Sequence, residues 1–341
     1  MSKFSKFICS TVIAASVGLL ASSSAFAQDD YPELDLKFAW YLGENTMHGE
    51  LFQWWGDEIE KRSDGKISVE FFWSESLGKS TELLDLVSNG AISFSATAPA
   101  YYASNLPLIG VGQLPLVHPD TDGVHNAMKK IENLEGVRAE NKRNGIVPLF
   151  YTSLPTYHLM CTKEISTVAD LKSAKMRSFG SYVPLMWDAV DAVSVTVLPA
   201  ELYEGLQRGN IDCAYLANNG SVDLKIYEVA KYHISANFGA IMPWAIHVNA
   251  DQWNSWPENV RELIAEVSQE ASKRDSEVVK AAGEDALKLM VENGVVAVDF
   301  TEQDKLTEMT PDFLKVWQDR MGEQGLGAEA GEIADAIRAQ N

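Results

Sequence analysis

Ser166 to Asn219 reads STVADLKSAKMRSFGSYVPLMWDAVDAVSVTVLPAELYEGLQRGNIDCAYLANN, and the alternation of apolar runs and breakers in it decides the fold. Lys175 to Phe179 has the pattern of a short strand, ended by Gly180 and Ser181. Tyr182 to Ala192 then places Val183, Met186, Trp187 and Val190 at helical spacing. Ser194 to Leu198 is continuous and β-branched, as in a strand buried on both faces of a parallel sheet. Ala200 to Arg208 is a second helix with Leu202, Tyr203 and Leu206 on one side, and Gly209 supplies the left-handed residue that follows a helix end. Ile211 to Leu216 closes a βαβαβ unit. In open α/β sheets ligands bind beyond the carboxyl ends of strands, which is where this order puts Arg177, Phe179 and Tyr215.

The same order occurs nearer the start of the chain. Leu34 to Trp40 alternates as a first strand, and Asn45-Thr46 caps a helix to about Arg62 that buries Met47, Leu51, Trp54, Trp55 and Ile59. Lys66 to Trp73, Ser80 to Ser88 and Ala91 to Thr97 follow as strand, helix and strand. Two units of one architecture, with no detectable sequence repeat, predict an α/β fold of two lobes facing one another across a cleft. Trp40-Tyr41, Trp73 to Glu75 and Thr97 to Tyr102 then follow strand ends on the first lobe. Trp40 either faces the ligand or caps the core, and at least one of Tyr101 and Tyr102 faces the cleft.

Between and beyond the units, a helix is expected from about Val124 to Lys142, and an extended segment runs from Gly145 through His158 to Thr162. That segment and Ile241 to Ala250 are read as two crossings between lobes, which together make a hinge. Glu258 to about Asn293 is one long amphipathic helix, with Gly283 as a bend, spanning roughly 50 Å at the usual rise per residue. The final strand at Val295 to Phe300 and the helices near 302–321 and 332–339 are expected to pack on the second lobe. The lobes are therefore drawn as 28–154 plus 242–282 and 155–241 plus 283–341.

At the N-terminus, Lys3 and Lys6 precede an apolar run from Phe7 to Leu20, and Ala25-Phe26-Ala27 offers a cleavage site. This is the pattern of a secretory leader, residues 1–27, with an apolar core short of the roughly 20 residues a spanning helix needs. A freely diffusing exported protein is expected. Removing the leader takes away two lysines and no acid, so the net charge moves from −20 to −22, which excludes nucleic acid as a natural partner. Beyond the leader stand two cysteines, Cys161 and Cys213, without C-x-x-C spacing. They could form a disulfide in an oxidising compartment, with two inert buried thiols the favoured alternative.

Motifs for chemistry are sparse. Leu77-Gly78-Lys79-Ser80-Thr81 imitates a phosphate loop, but Trp73 stands where the first glycine is required. Asp120-Thr121-Asp122-Gly123 lacks the ligands of a calcium loop. The histidines His48, His118, His125, His158, His233 and His247 are scattered without metal-ligand spacing, and there is no G-x-S-x-G elbow. No cofactor, no metal and no catalysis are expected.

DLKSAKMR (170–177), a helix, then LPAELYEGLQRGNIDCA (198–214) resembles the hallmark region of the TRAP-transporter solute-binding proteins of the DctP type, and the likeness covers nearly all of the chain after the leader. The resemblance implies a periplasmic binding protein fold with hinge strands and a long helix along both lobes. It implies a monomer that carries a small organic acid to small and large integral membrane subunits, and an arginine, here Arg177, that pairs with the substrate carboxylate. Family members often carry G-x-E-N after the L-Q-x-G-x-(V/I)-D run. Here Asp212 is followed by Cys213, Ala214, Tyr215 and Leu216, so Asn218 or Asn219 serves instead, or Tyr215 has taken the site. Sialic-acid-binding members have a second arginine near 156–157, where this chain has Thr156 and Tyr157. The expected lining is one cation, Arg177, with Asn218 and the aromatic groups Trp40, Tyr101, Tyr157, Phe179, Tyr215 and Trp244, which favours a monocarboxylate with an apolar or ring-shaped body, an aromatic acid first.

Overall fold

Each βαβαβ unit builds one sheet in the structure, a computed structural model that describes residues 31–339. The predicted leader, residues 1–27, lies outside the described residues. In chain order the strands are β1 (Leu34–Ala39), β2 (Ile67–Phe72), β3 (Phe94–Thr97), β4 (Ile146–Tyr151), β5 (Tyr157–Cys161), β6 (Lys175–Ser178), β7 (Val193–Thr196), β8 (Cys213–Ala217), β9 (Tyr232–Ile234), β10 (Ala245–Asn249) and β11 (Val296–Val298). They form a five-stranded sheet, β2-β1-β3-β10-β4, and a six-stranded sheet, β11-β9-β5-β8-β6-β7. β1, β2 and β3 are parallel, as are β6, β7 and β8, which is what a crossover helix between successive strands produces.

The first helix, Met47–Arg62, starts where the sequence puts it, because the Thr46 hydroxyl accepts the Gly49 N–H at 3.1 Å. Its Phe52 and Trp55 bury against Phe38 of β1 at ring separations of 5.3 and 6.0 Å. Departures from expectation have local causes. β7 was read as buried on both faces, but it is the sheet edge, with Val193 46% exposed. β-branching reports strand preference and does not say where in the sheet a strand lies. The single helix expected over Val124–Lys142 is two, Thr121–Ile131 and Glu135–Arg143.

Residues 152–156 and 235–244 cross between the sheets side by side. Thr152 N–H donates to Trp244 O at 3.0 Å, Leu154 N–H to Ile241 O at 3.0 Å and Tyr157 N–H to Gly239 O at 2.9 Å. Gly239 holds φ +77 here, and a Cβ on it would meet His118 O at 2.6 Å. The long helix is continuous from Glu258 to Glu292, 35 residues, packing on Met47–Arg62 and on the helix Asn218–Asp223. Gly283 lets the helix pass Pro155 of the first crossing, with 3.3 Å from a built Cβ to the proline.

Asp275 ties this helix to the crossing. Its buried carboxylate accepts from Ser153 N–H at 2.9 Å, Ser153 O–H at 2.7 Å, His48 Nε2 at 3.0 Å and His125 Nε2 at 3.0 Å. The last two helices, Phe313–Glu323 and Gly327–Arg338, were expected on the second lobe. Gly327–Arg338 lies instead against Thr121–Ile131 and Glu135–Arg143, and Phe313–Glu323 packs on Gly327–Arg338 while its Trp317 Nε1 donates to Pro107 O at 3.0 Å. Their apolar faces carried no information about which lobe would cover them.

Cys161 and Cys213 face one another in the antiparallel β5–β8 register and are joined as a disulfide, which overturns the favoured expectation of two thiols. The register that brings them together is set by the whole sheet, so spacing in the sequence could not reveal it.

Candidate functional site

Arg177 stands near the carboxyl end of β6, between β7 and β8, and is 2% exposed. Its Nη1 donates to Tyr215 O at 2.9 Å and its Nε to Val197 O at 3.3 Å, while Trp187 Nε1 donates to the Arg177 carbonyl at 2.9 Å. The guanidinium lies over the Phe179 ring, 4.7 Å from its centroid. Backbone carbonyls and a ring thus fix the group without neutralising it, and among the described residues no carboxylate comes within 4 Å of it.

The cavity that Arg177 enters is walled from both sheets. Tyr41, Ala98 and Tyr101 follow the ends of β1 and β3, Phe179 and Asn219 follow β6 and β8, and Leu154 and Trp244 belong to the crossings. Opposite loops meet closely, since a Cβ on Gly180, at φ +61, would lie 3.0 Å from that of Ala100. Gln113 ties the first-lobe wall to the second crossing, accepting the Ala100 N–H and donating to Pro243 O at 2.8 Å.

The phenols around the guanidinium form a low-dielectric wall. Burial pushes the Tyr101 hydroxyl above its ordinary pKa, opposed by the charge of Arg177 and by hydrogen bonds with Tyr41 and Arg177. Burial likewise raises Tyr157 and Tyr215, and Arg177 opposes the rise at each. Tyr41 is raised too, by burial and by Tyr101, and its hydroxyl accepts the Trp244 indole N–H at 2.6 Å. All four phenols therefore remain protonated at neutral pH and can donate to an anion.

Of the residues singled out from the sequence, Arg177, Tyr101, Tyr157, Phe179 and Trp244 line this cavity. Trp40 does not. It is 1% exposed and packs on Phe52 at 4.8 Å and Trp244 at 5.0 Å, because side chains alternate along a strand and Trp40 continues the Phe38 face. Tyr41, one residue on, takes the cavity position. Tyr215 contributes its carbonyl to Arg177 and its ring to the wall behind, 4.6 Å from Tyr157 and 5.9 Å from Phe179. Asn218 turns away and accepts from His233 Nε2 at 2.9 Å, while Asn219 lines the cavity with Oδ1 buried and unpaired. Tyr102 is a core residue, bonded to Ser80 O at 2.8 Å and to Leu84 N–H at 3.1 Å.

Sequence reasoning also missed Asp223, which lines the cavity from the same helix as Asn219. Asn218-Asn219-Gly220-Ser221 has the composition of a turn, so the four-residue spacing that aligns Asn219 with Asp223 was not read as helical. No group of three or more His, Cys, Asp or Glu able to hold a metal ion exists among the described residues.

Residues 38–324 match the family model DctP, the bacterial extracellular solute-binding proteins of family 7. The chain belongs to the DctP family. This DctP protein is 23% identical over 339 residues to the C4-dicarboxylate-binding periplasmic protein DctP of Rhodobacter capsulatus, covering 96% of this chain and 98% of the relative. Its fold is similar to that of DctP7 of Bordetella pertussis, an extracytoplasmic solute receptor binding pyroglutamic acid, with a TM-score of 0.81 at 18% identity over 89% of this chain and 99% of the other. It is equally similar to a TRAP periplasmic solute-binding protein of Desulfovibrio salexigens with bound orotic acid, at 0.81 and 21% identity over 90% and 99%. DctP proteins are extracytoplasmic solute receptors that work with membrane TRAP subunits, and among the described residues no helix is long and apolar enough to cross a membrane.

Proposed function

We propose that this TRAP-type solute-binding protein captures a monocarboxylate with a compact ring-shaped or apolar body, anchors its carboxylate on Arg177 between the lobes, and presents the closed complex to small and large membrane subunits. The observation that carries the reading is a buried guanidinium fixed by carbonyls with no protein carboxylate beside it. A buried cation without a counter-ion is unfavourable, and a ligand carboxylate supplies the missing charge through two parallel hydrogen bonds. Arg177 is the one basic side chain lining the cavity among the described residues, so a dicarboxylate would leave its second charge unpaired. Phe179, Tyr101, Tyr157 and Trp244 supply flat surfaces for a ring, and the ligands of the Bordetella and Desulfovibrio proteins are cyclic acids.

The lobes we take as 28–154 plus 242–282 and 155–241 plus 283–312, with 313–338 riding on the first. The protein acts as a monomer, exported to the periplasm on a cleaved leader. Native mass spectrometry of protein purified without added ligand, followed by a thermal-shift screen of organic acids, tests the reading. A cyclic monocarboxylate should raise the melting temperature most. Stabilisation by open-chain dicarboxylates alone would remove the monocarboxylate assignment.

A further inference from the structure

The cavity contains an anion as well as a cation, and the anion has nothing to bind. Asp223 lines it from the last residue of the helix Asn218–Asp223, one helical turn after Asn219 and so on the same face. Three features make that carboxylate unfavourable where it stands. It is partly buried, it occupies the C-terminal end of a helix, where the backbone dipole opposes negative charge, and it belongs to a chain of net charge −20. No hydrogen bond or ion pair reaches it among the described residues. Burial raises its pKa to about 6, with His48 opposing and Glu50 adding to the rise, so it is ionised at neutral pH and presents acceptors. Asn219 adds a further buried acceptor without a partner, at 6% exposure.

A capture site for acids gains nothing from a free carboxylate unless that carboxylate meets a donor. We propose that Asp223, with Asn219 beside it, reads a hydrogen-bond donor, a hydroxyl or a ring N–H, on the body of the acid that Arg177 anchors. The inference rests on the carboxylate reading of Arg177 and adds polarity to it. The ligand lies with its acid toward β6 and its donor toward the helix Asn218–Asp223, and a second carboxylate on the ligand is repelled. The substrate class narrows from cyclic monocarboxylates to those bearing an O–H or N–H on the body.

Pairs of acids in which the donor is replaced by oxygen or capped by methyl test this on the full chain by calorimetry, the lactam–lactone pair being the one matched in size. Suitable pairs are pyroglutamate against 5-oxotetrahydrofuran-2-carboxylate, orotate against 1,3-dimethylorotate, and mandelate against α-methoxyphenylacetate. In at least one pair the donor-bearing acid should bind about tenfold tighter or more, the effect of a hydrogen bond to a charged group. Asp223→Ala, a cavity-facing change that leaves Arg177 intact, should reduce that preference below about twofold. Equal binding within every pair, or a preference that survives Asp223→Ala, overturns the role of Asp223 while leaving the Arg177 reading in place. Failure of all six acids to bind, or binding that is unchanged in Arg177→Ala, overturns both. Asp223→Asn separates charge from hydrogen bonding, since retention of the preference assigns it to the acceptor oxygen and its loss to the charge, and both results support the proposal.

Discussion

Replacing Arg177 is the sharpest test of how this cavity holds an acid. The guanidinium spends Nε on Val197 O and one Nη1 hydrogen on Tyr215 O, which leaves its remaining N–H groups, where the Tyr101 hydroxyl also reaches it, to meet a carboxylate. Arg177→Lys keeps the charge but has neither the two carbonyl bonds that fix the group nor a bidentate edge. One charge-assisted hydrogen bond is worth about 1.5–3 kcal/mol, so the best acid from the screen should bind roughly tenfold to a hundredfold more weakly. Arg177→Ala removes the counter-charge and leaves a desolvated carboxylate in a cavity of phenols and rings. The penalty rises to about 3–5 kcal/mol, roughly a hundredfold to a few thousandfold in Kd. Isothermal titration calorimetry of both variants gives the numbers. Urea unfolding of the ligand-free proteins separates binding from folding, because Arg177→Ala also frees two buried carbonyls. Ligand affinity within threefold of wild type in a folded Arg177→Ala protein would show that the carboxylate is held elsewhere.

Three other outcomes follow from the same structure. The Cys161–Cys213 disulfide closes a loop of sequence separation 52; chain entropy assigns it about 4 kcal/mol, so Cys161→Ala/Cys213→Ala should unfold at markedly lower urea, and a loss below about 1 kcal/mol would mean that the sheet holds these strands unaided. Asp275 is pushed up by burial but held below the ordinary carboxylate range by hydrogen bonds from His125 and His48; a depressed folded pKa contributes stability above the unfolded value of about 3.9 and loses it as pH falls through the folded one. Asp275→Asn should therefore destabilise by about 3–5 kcal/mol at pH 7, with the gap to wild type narrowing below about pH 4, and a gap independent of pH in paired urea titrations would contradict the assignment. Arg320, on a helix bound to the first lobe, donates to Ser181 O at 3.0 Å and lies 4.8 Å from the Tyr182 ring centroid; Arg320→Ala should loosen closure by about 1 kcal/mol, seen as roughly fivefold weaker binding and a larger radius of gyration by small-angle scattering, whereas unchanged values of both would remove the latch.

Which parts were legible in the sequence follows from the range over which each signal acts. The βαβαβ units, the Thr46 cap and the long helix are written in periodicity and capping within a few residues, and they stand where they were read. The place of Arg177 near a strand end and in the cavity wall was legible because a strand-end position and a motif coincide there; its role toward a carboxylate is the proposal made above. The partition of the aromatics was not. Trp40 and Tyr41 are adjacent and similar in composition, and only the packing of Phe52 against the Trp40 face decides which of them meets the cavity. Asn218 and Asn219 differ by one residue's turn of a helix, about 100° of rotation, and that turn sends one to His233 and the other to the cavity. Strand pairing is less legible still, since it joins Cys161 to Cys213 across 52 residues with no local trace.

On the reading proposed for Arg177 and Asp223, the division of the cavity between the two sheets apportions affinity between binding and closure. Arg177, Phe179, Asn219 and Asp223 all belong to the second sheet or the helix after β8, so an acid can be recognised at both ends by one lobe before the cleft shuts. Tyr41 and Tyr101 follow strands of the first sheet and act on the guanidinium from the opposite wall of the cavity. A ligand can shift the open and closed populations only by contacts that differ between them, so on this reading the charge pair would set capture while the first-lobe phenols would drive closure. Arg320 and the Gly180–Ala100 approach act in the same direction without touching the ligand. An acid too bulky to let Gly180 reach Ala100 would still be anchored by Arg177, yet it would hold the lobes apart, and the form presented to the membrane subunits would not be assembled. On the proposed reading, selectivity therefore operates twice, by polarity on the second lobe and by size at the point where Gly180 approaches Ala100.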